Sequence, residues 1–326
     1  MKTDNSITAL ILTKDEEKHI ERCINSLKDA CDEILVVDSF STDKTCEIAE
    51  RLGAKVVKHP WKNYATQFNY GVYECQIHTE WIWRIDADEY LEGGLGQSVK
   101  ATLSQCGGNV NGVYVRKRID FMGRSLLHGG WYPSYHLKVF RRKHGDCENR
   151  WMDEHIRIFD GETITVETGN QVDANQNDLT WWTGKHNSYA TREMIDMLMT
   201  EYGLDYKSQE VKPAFFGTEE QRKRWLKIKY IKFPLFVRPF VNFTLRYVIK
   251  RGFLDGKEGF IWHILQGFWY RTLVDAKIFE LKKRFAFNKT KIKEYLENNY
   301  LTNINIYGGV KLTELCNANA WMPYAA

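Results

Sequence analysis

The sequence predicts an α/β protein, a mostly parallel, Rossmann-like sheet followed by a helical, basic and aromatic C-terminal extension. Three observations predict it. Short β-branched runs alternate with amphipathic helical patterns through the first ninety residues, as βαβ units do. From about residue 112 to 167 the pattern turns strand-like and irregular, and from Lys185 onward it is largely helical. The charge also divides. Residues 223–284 hold 15 Lys and Arg against four Asp and Glu, a balance of +11, whereas residues 1–222 carry −8, which points to two surfaces with two partners.

Taken in order, Ile7–Leu12 is an apolar strand, and Glu16–Ala30 sets Ile20, Cys23, Ile24 and Leu27 at helical spacing. Ile34–Val37 is a second strand. Ser41-Thr42-Asp43 then offers an N-cap to a helix that carries Cys46, Ile48, Ala49 and Leu52 and stops at Gly53. Ala54–Val57 reads as a third strand, Tyr64–Gln76 as a helix and Trp81–Ile85 as a fourth strand. Later turn signals stand at Gly123, Gly129-Gly130 and Pro133, and Pro234–Pro239 breaks the helical region. The expected organisation is a catalytic domain over 1–200, a helical extension over 201–300 and a tail over 301–326.

Several classes are disfavoured. The seven cysteines form no CxxC pair, so reduced thiols are expected rather than a disulfide framework. The run Ile7–Leu12 is too short for a secretory h-region, and no stretch of about 18 residues is free of charge; the chain is expected in the cytoplasm. No RNP-like or zinc pattern accompanies the basic residues, so nucleic acid is not an expected partner.

In an open parallel sheet, ligands bind beyond the carboxyl ends of the strands. Those ends carry Thr13-Lys14-Asp15-Glu16, Asp38-Ser39 and Asp86-Ala87-Asp88. Asp86 and Asp88, two apart at the end of an extended segment, point to one side. Such carboxylates repel each other unless a cation lies between them, and hard oxygen donors suit Mg²⁺ or Mn²⁺ shared with substrate phosphates. A departing diphosphate would be neutralised by such an ion; a solvated acidic turn is the alternative. Asp38 can accept from the N3–H of a uracil, or it caps its own turn.

The strings TALILTKDEEKHIERCINSL, EILVVDSFSTDKT and WIWRIDADEYL resemble the start of a family-two glycosyltransferase with the GT-A fold, and within it the lipopolysaccharide core β-1,4-glucosyltransferase subgroup. The resemblance implies that Thr13 and Asp38 hold the nucleotide base with Glu16 close by. It implies that Asp86 contacts ribose or metal, and that Asp88 ligates metal and diphosphate. Where relatives often carry Arg or Lys before the Asn of the following helix, this chain has Phe68 before Asn69; Lys62 is the alternative source of charge.

Inverting transfer needs a base for the acceptor hydroxyl. Glu154, in Trp151-Met152-Asp153-Glu154-His155, resembles the subgroup's His-Glu segment, with Asp153 in place of the usual His. His186 resembles a position beside the donor diphosphate, as metal ligand, phosphate donor or structural histidine. Lys185 and Arg192 are further phosphate candidates. Trp131 and Tyr132 offer stacking faces to an acceptor sugar, or pin their own loop. In the tail, Gly259–Tyr270 is uncharged, and Ile261, Ile264, Leu265 and Phe268 share a helical face that fits an anionic membrane surface or interior packing.

The expectation is an inverting, metal-dependent transfer of a hexose from a UDP-sugar to a saccharide or glycolipid acceptor at the inner face of the cell membrane. A sugar nucleotidyltransferase and a non-catalytic, membrane-docked sugar-binding protein are the rivals. The first would favour a glycine-rich, basic phosphate loop after the first strand, which Thr13-Lys14-Asp15-Glu16 is not.

Overall fold

The computed structural model describes residues 5–148, 154–204, 216 and 219–301. They fold as two compact units. One comprises the chain up to Gln176 together with Lys250–Phe260; the other comprises Asn177–Ile249 and the chain from Ile261. The expected break at residue 200 falls at the end of a helix, while the units part ahead of that helix. The expected tail, from residue 302, lies outside the described residues.

The first unit is built on strands β1 (Ile7–Thr13), β2 (Glu33–Asp38), β3 (Lys55–Lys58) and β4 (Trp81–Asp86). They continue as β5 (Glu89–Glu92), β6 (Val110–Phe121), β7 (Arg124–Ser125), β8 (Ser134–Arg141), β9 (Gly145–Cys147), β10 (Ile156–Ile158) and β11 (Glu162–Asp173). The main sheet runs β3-β2-β1-β4-β8-β6-β11-β5; β7 hangs on β6, and β9 pairs with β10. The first four strands are mutually parallel, and β8 enters antiparallel between β4 and β6. Helices α1 (Ile20–Leu27), α2 (Thr45–Arg51), α3 (Tyr64–Glu74) and α4 (Leu95–Gln105) complete the unit.

Strand periodicity explains why this sheet is covered on both faces. Ile7, Ala9, Ile11, Val36, Trp81, Trp83 and Ile85 enter a core with Ile20, Cys23, Ile24 and Leu27 of α1 and Leu95 and Val99 of α4. The alternating residues Leu10, Leu35, Val37 and Ile82 enter a second core with Phe68 and Val72 of α3. Phe68 is wholly buried there, so it anchors α3 by packing. The cap expected of Ser41-Thr42-Asp43 is narrower than its sequence offered. Only Asp43 serves α2, its Oδ1 accepting from the Thr45 amide at 3.0 Å, while Ser41 and Thr42 bond across to the loop after β1.

The second unit contains α5 (Leu179–Glu201), α6 (Glu219–Ile231) and α7 (Val237–Phe243), which a π-helical stretch continues over Thr244–Ile249. The short helix α8 (Gly256–Trp262) begins in the Lys250–Phe260 segment of the first unit; from Ile261 the chain runs through a second π-helical stretch into α9 (Tyr270–Arg284), and α10 (Lys289–Leu296) follows. Met194 and Leu198 of α5 pack with Val274 and Ile278 of α9 and Ile292 of α10. Within this core Arg238 pairs with Asp275 at 2.5 Å, both almost fully buried. Asp275 also accepts from the Phe236 amide at 2.7 Å, so the desolvated pair is hydrogen-bonded as such pairs must be.

Candidate active site

Register places the predicted residues at one sheet edge. Thr13 stands opposite Asp38, Leu12 opposite Asp86, and Asp38 opposite Lys58. Thr13 and Asp38 continue the face of Ile11 and Val36, whereas Asp86 continues the face of Ile82. The strands that carry Asp38 and Asp86 flank β1, about 10 Å apart. A ligand that meets both therefore lies across the edge rather than on one face.

Asp38 is fully buried. Its carboxylate accepts from the Thr13 hydroxyl at 2.8 Å, the Ser41 amide at 2.8 Å and the Ser41 hydroxyl at 2.5 Å. Burial and then the charge of Asp38 push the neighbouring Cys46 thiol up to about 11. The loops after β1 and β2 hold each other. Asp15 Oδ1 accepts from the Thr42 amide at 2.7 Å, the Glu17 amide donates to Asp43 at 3.1 Å, and the Glu16 amide donates to the Thr45 hydroxyl at 2.7 Å. The Glu16 carboxylate is 2.6 Å from His19 Nδ1, and His19 Nε2 accepts from the Gln176 amide at 2.8 Å.

At the end of β4, Asp86 and Asp88 are both partly exposed while Ala87 and Glu89 between and after them are buried. Asp86 Oδ1 accepts from the Tyr64 hydroxyl at 2.6 Å, and Oδ2 lies 3.7 Å from Lys138 Nζ. Asp88 Oδ2 accepts from Asn175 at 3.0 Å. Burial drives the Asp86 carboxyl upward, but Lys138, with Arg84 and Lys117 behind it, outweighs that and holds it below the usual carboxylate range.

Beneath this pair lies a charged network that the sequence did not reveal. Glu89 is completely buried, yet it takes Lys138 Nζ at 3.0 Å, Lys117 Nζ at 3.0 Å and Gln171 Nε2 at 2.5 Å. Against the upward push of burial, the two lysines keep Glu89 strongly depressed and ionised. Lys117 also meets Asp173 at 2.9 Å. Asp173 nevertheless ends raised, by burial first and then by the negative charges of Asp88 and Glu89, against the pull of Lys117. The only sequence signal for this network was Glu89 beside Asp86-Ala87-Asp88; its lysines come from β6 and β8, far along the chain.

A metal fits this edge in one manner. Among the described residues no group of three or more His, Cys, Asp or Glu side chains is disposed as a protein-only cage. The two partly exposed carboxylates at and just beyond the end of β4 instead suit a Mg²⁺ or Mn²⁺ held by Asp86 and Asp88 and completed by a ligand's phosphates.

Glu154 is tied to the same edge through its backbone. Its carbonyl accepts from Arg84 at 2.9 Å, and Arg84 Nε donates to the Tyr64 hydroxyl at 2.8 Å. The Arg84 guanidinium also sits 4.2 Å from the centre of the Tyr64 ring. Asp153 lies outside the described residues. Tyr132 donates to Asn170 at 3.1 Å, and Arg116 lies 5.5 Å from its ring centre; the Trp131 amide donates to the His128 carbonyl at 3.3 Å. These bonds fold the segment as a pinned loop. His186 belongs to the second unit. Its Nδ1 donates to the Trp182 carbonyl at 2.8 Å, and its ring stacks on Trp182 at 3.5 Å.

Comparison with known proteins points one way. The sequence pattern of the family described as Glycosyl transferase family 2 matches residues 8–146. An uncharacterized glycosyltransferase of Rickettsia conorii is 46% identical over 267 residues, 80% of this chain and 86% of that one. LpsC of Rhizobium meliloti, named a lipopolysaccharide core biosynthesis glycosyltransferase, is 28% identical over 144 residues, 43% of this chain and 52% of its own. Among solved structures, the mannosyltransferase PcManGT from Pyrobaculum calidifontis, in complex with GDP-Man and Mn²⁺, aligns with a TM-score of 0.48 at 14% identity. That alignment covers 84% of this chain and 86% of that one.

Proposed function

Starting from a chain that belongs to glycosyl transferase family 2 and carries its GT-A fold, we propose that it moves a hexose from a UDP-sugar to a saccharide acceptor with inversion at the anomeric carbon. One observation carries this reading: Thr13 pairs with Asp38 and Leu12 with Asp86, so the three polar residues end adjacent parallel strands within one residue of each other at the carboxyl edge, where such sheets bind nucleotides. Thr13 and Asp38 would receive the uracil on one side of the edge, with Glu16 in the neighbouring loop. Asp86 and Asp88 would hold Mg²⁺ or Mn²⁺ on the other side, and the bound ion would supply charge neutralisation to the leaving diphosphate.

Glu154 is the proposed base. It accepts the proton of the acceptor hydroxyl as that oxygen attacks the anomeric carbon and the bond to the diphosphate breaks. Arg84 orients it by fixing its carbonyl, and Asp153 extends the acidic character of the segment. Trp131 and Tyr132, in their pinned loop, would offer stacking faces to the acceptor sugar. The name of the LpsC relative speaks for lipopolysaccharide core; we extend it to a lipid-linked surface glycan, presented at the cytoplasmic face of the membrane, as the proposed acceptor class.

The test is a donor panel. The full chain is incubated with UDP-glucose, UDP-galactose and the corresponding N-acetylhexosamine donors, with lipid-linked saccharide acceptors, in Mn²⁺ or in chelator, and UDP is measured. Acceptor-stimulated UDP release that chelator stops is expected. Conversion of a UDP-sugar to UTP and sugar 1-phosphate only when pyrophosphate is added would indicate a nucleotidyltransferase, and no turnover of any donor would sink the reading.

A further inference from the structure

The helix formed by α7 and its π-helical continuation, Val237–Ile249, is inside out. On one side, at positions 237, 240, 241, 245, 248 and 249, stand Val237, Phe240, Val241, Leu245, Val248 and Ile249, each between 41% and 67% exposed. That spacing is a single helical stripe, and it contains no charge. Apart from the exposed Thr244, the polar groups lie on the opposite side. Arg238 is buried against Asp275, Asn242 donates to the Gly267 carbonyl at 2.8 Å, and burial followed by Arg271 lowers Arg246 to about 10. A soluble helix places its residues the other way round.

We infer that this stripe is a membrane-docking surface that lies in the plane of an anionic lipid leaflet, its apolar side chains among the acyl chains. Charge chooses this occupant. Residues 223–284 have a balance of +11, and exposed Lys232, Lys250 and Arg251 bracket the stripe in sequence, as in helices that sit at an anionic interface. A second copy seated on the same stripe would bring two strongly basic surfaces together. Among the described residues no helix is long and apolar enough to cross a membrane, so the contact is lateral. For Gly259–Tyr270 the sequence left open a membrane surface or interior packing; none of residues 261–270 is exposed, which favours packing there.

The inference deepens the proposed lipid-linked acceptor and rests on that reading for its purpose, yet its test needs no sugar. The full chain is floated with vesicles of phosphatidylcholine alone or mixed with phosphatidylglycerol, alongside Phe240→Glu and Ile249→Glu. Both side chains are more than half exposed, Phe240 keeping an edge contact with Phe268, and circular dichroism and thermal unfolding establish that each variant is folded before its binding is read. Binding to the anionic vesicles and a loss of at least about tenfold in each variant are expected, since each change removes a buried apolar side chain from lipid. Equal binding by the folded variants, or no binding by the parent, would overturn it. So would sedimentation showing a parent dimer that both variants dissociate while lipid has no effect. UDP release with a soluble acceptor, measured on the same variants, reports on glycosyl transfer separately.

Discussion

Tyr64 donates its phenolic hydrogen to Asp86 at 2.6 Å and accepts from Arg84 at 2.8 Å. A helix residue from α3 thus joins the acidic edge to the segment of the proposed base, because Arg84 also holds the Glu154 carbonyl. Tyr64→Phe keeps the ring and the stacking of Arg84 but removes both bonds. Turnover should fall about tenfold, and stability by about 1 kcal/mol. Steady-state kinetics and thermal unfolding measure the two, and unchanged turnover would leave Tyr64 a packing residue.

Asp88→Ala should abolish metal-dependent UDP release while leaving the unfolding midpoint close to that of the parent, since its carboxylate is partly exposed. The parent should be stabilised by UDP with Mn²⁺ in a thermal-shift experiment, and the variant should not. A variant that still responds to Mn²⁺ would remove the metal assignment.

Glu154→Gln preserves shape and loses the base. A fall of about 10² to 10⁴ in turnover is expected, with UDP-sugar affinity unchanged by calorimetry. Loss of affinity in step with turnover would assign Glu154 to donor binding instead.

Asp38→Asn tests the uracil side. The buried carboxylate accepts from Thr13 and Ser41, and an amide keeps the Ser41 N–H only by turning its NH2 on the two hydroxyls, which replaces charge-assisted bonds with neutral ones at about 1 kcal/mol of stability. Donor KM should rise with kcat less affected. A pure stability change with unaltered KM would reduce Asp38 to a turn residue.

Lys138→Met removes the cation that holds Asp86 and Glu89 down. Both groups are depressed, so the stability they contribute is present above the ordinary carboxylate range and is lost as pH falls through their folded values. The raised Asp173 runs the other way. The variant should lose about 3 kcal/mol at pH 7, and the gap from the parent should narrow as the medium is acidified towards pH 3. Denaturant titrations at both pH values decide it; a constant gap would mean that Lys138 acts by packing alone.

The first four strands were legible because each is a local apolar run closed by polar residues, and parallel order follows from the intervening helices. What lay beyond was not legible, because β6, β8 and β11 pair across long stretches of chain and shift register on the way. The site divides similarly. Asp38 and Asp86 announce themselves at strand ends, but the Lys117 and Lys138 that set the electrostatics of Glu89 arrive by pairing that no local pattern reveals. Farther along, the uncharged run Gly259–Tyr270 fitted a membrane surface or interior packing, and its residues 261–270 are half or wholly buried, while Arg238 of the basic stretch is buried against Asp275. Periodicity gives the stripes of a helix, but it does not say which stripe meets water.

The interlocked loops after β1 and β2 carry a consequence for donor capture. Asp15 grips the Thr42 amide while Asp43 grips the Glu17 amide, so neither loop can swing away without unlatching the other. A nucleotide arriving there would meet a rim already set in place, and little ordering entropy would be lost on its arrival.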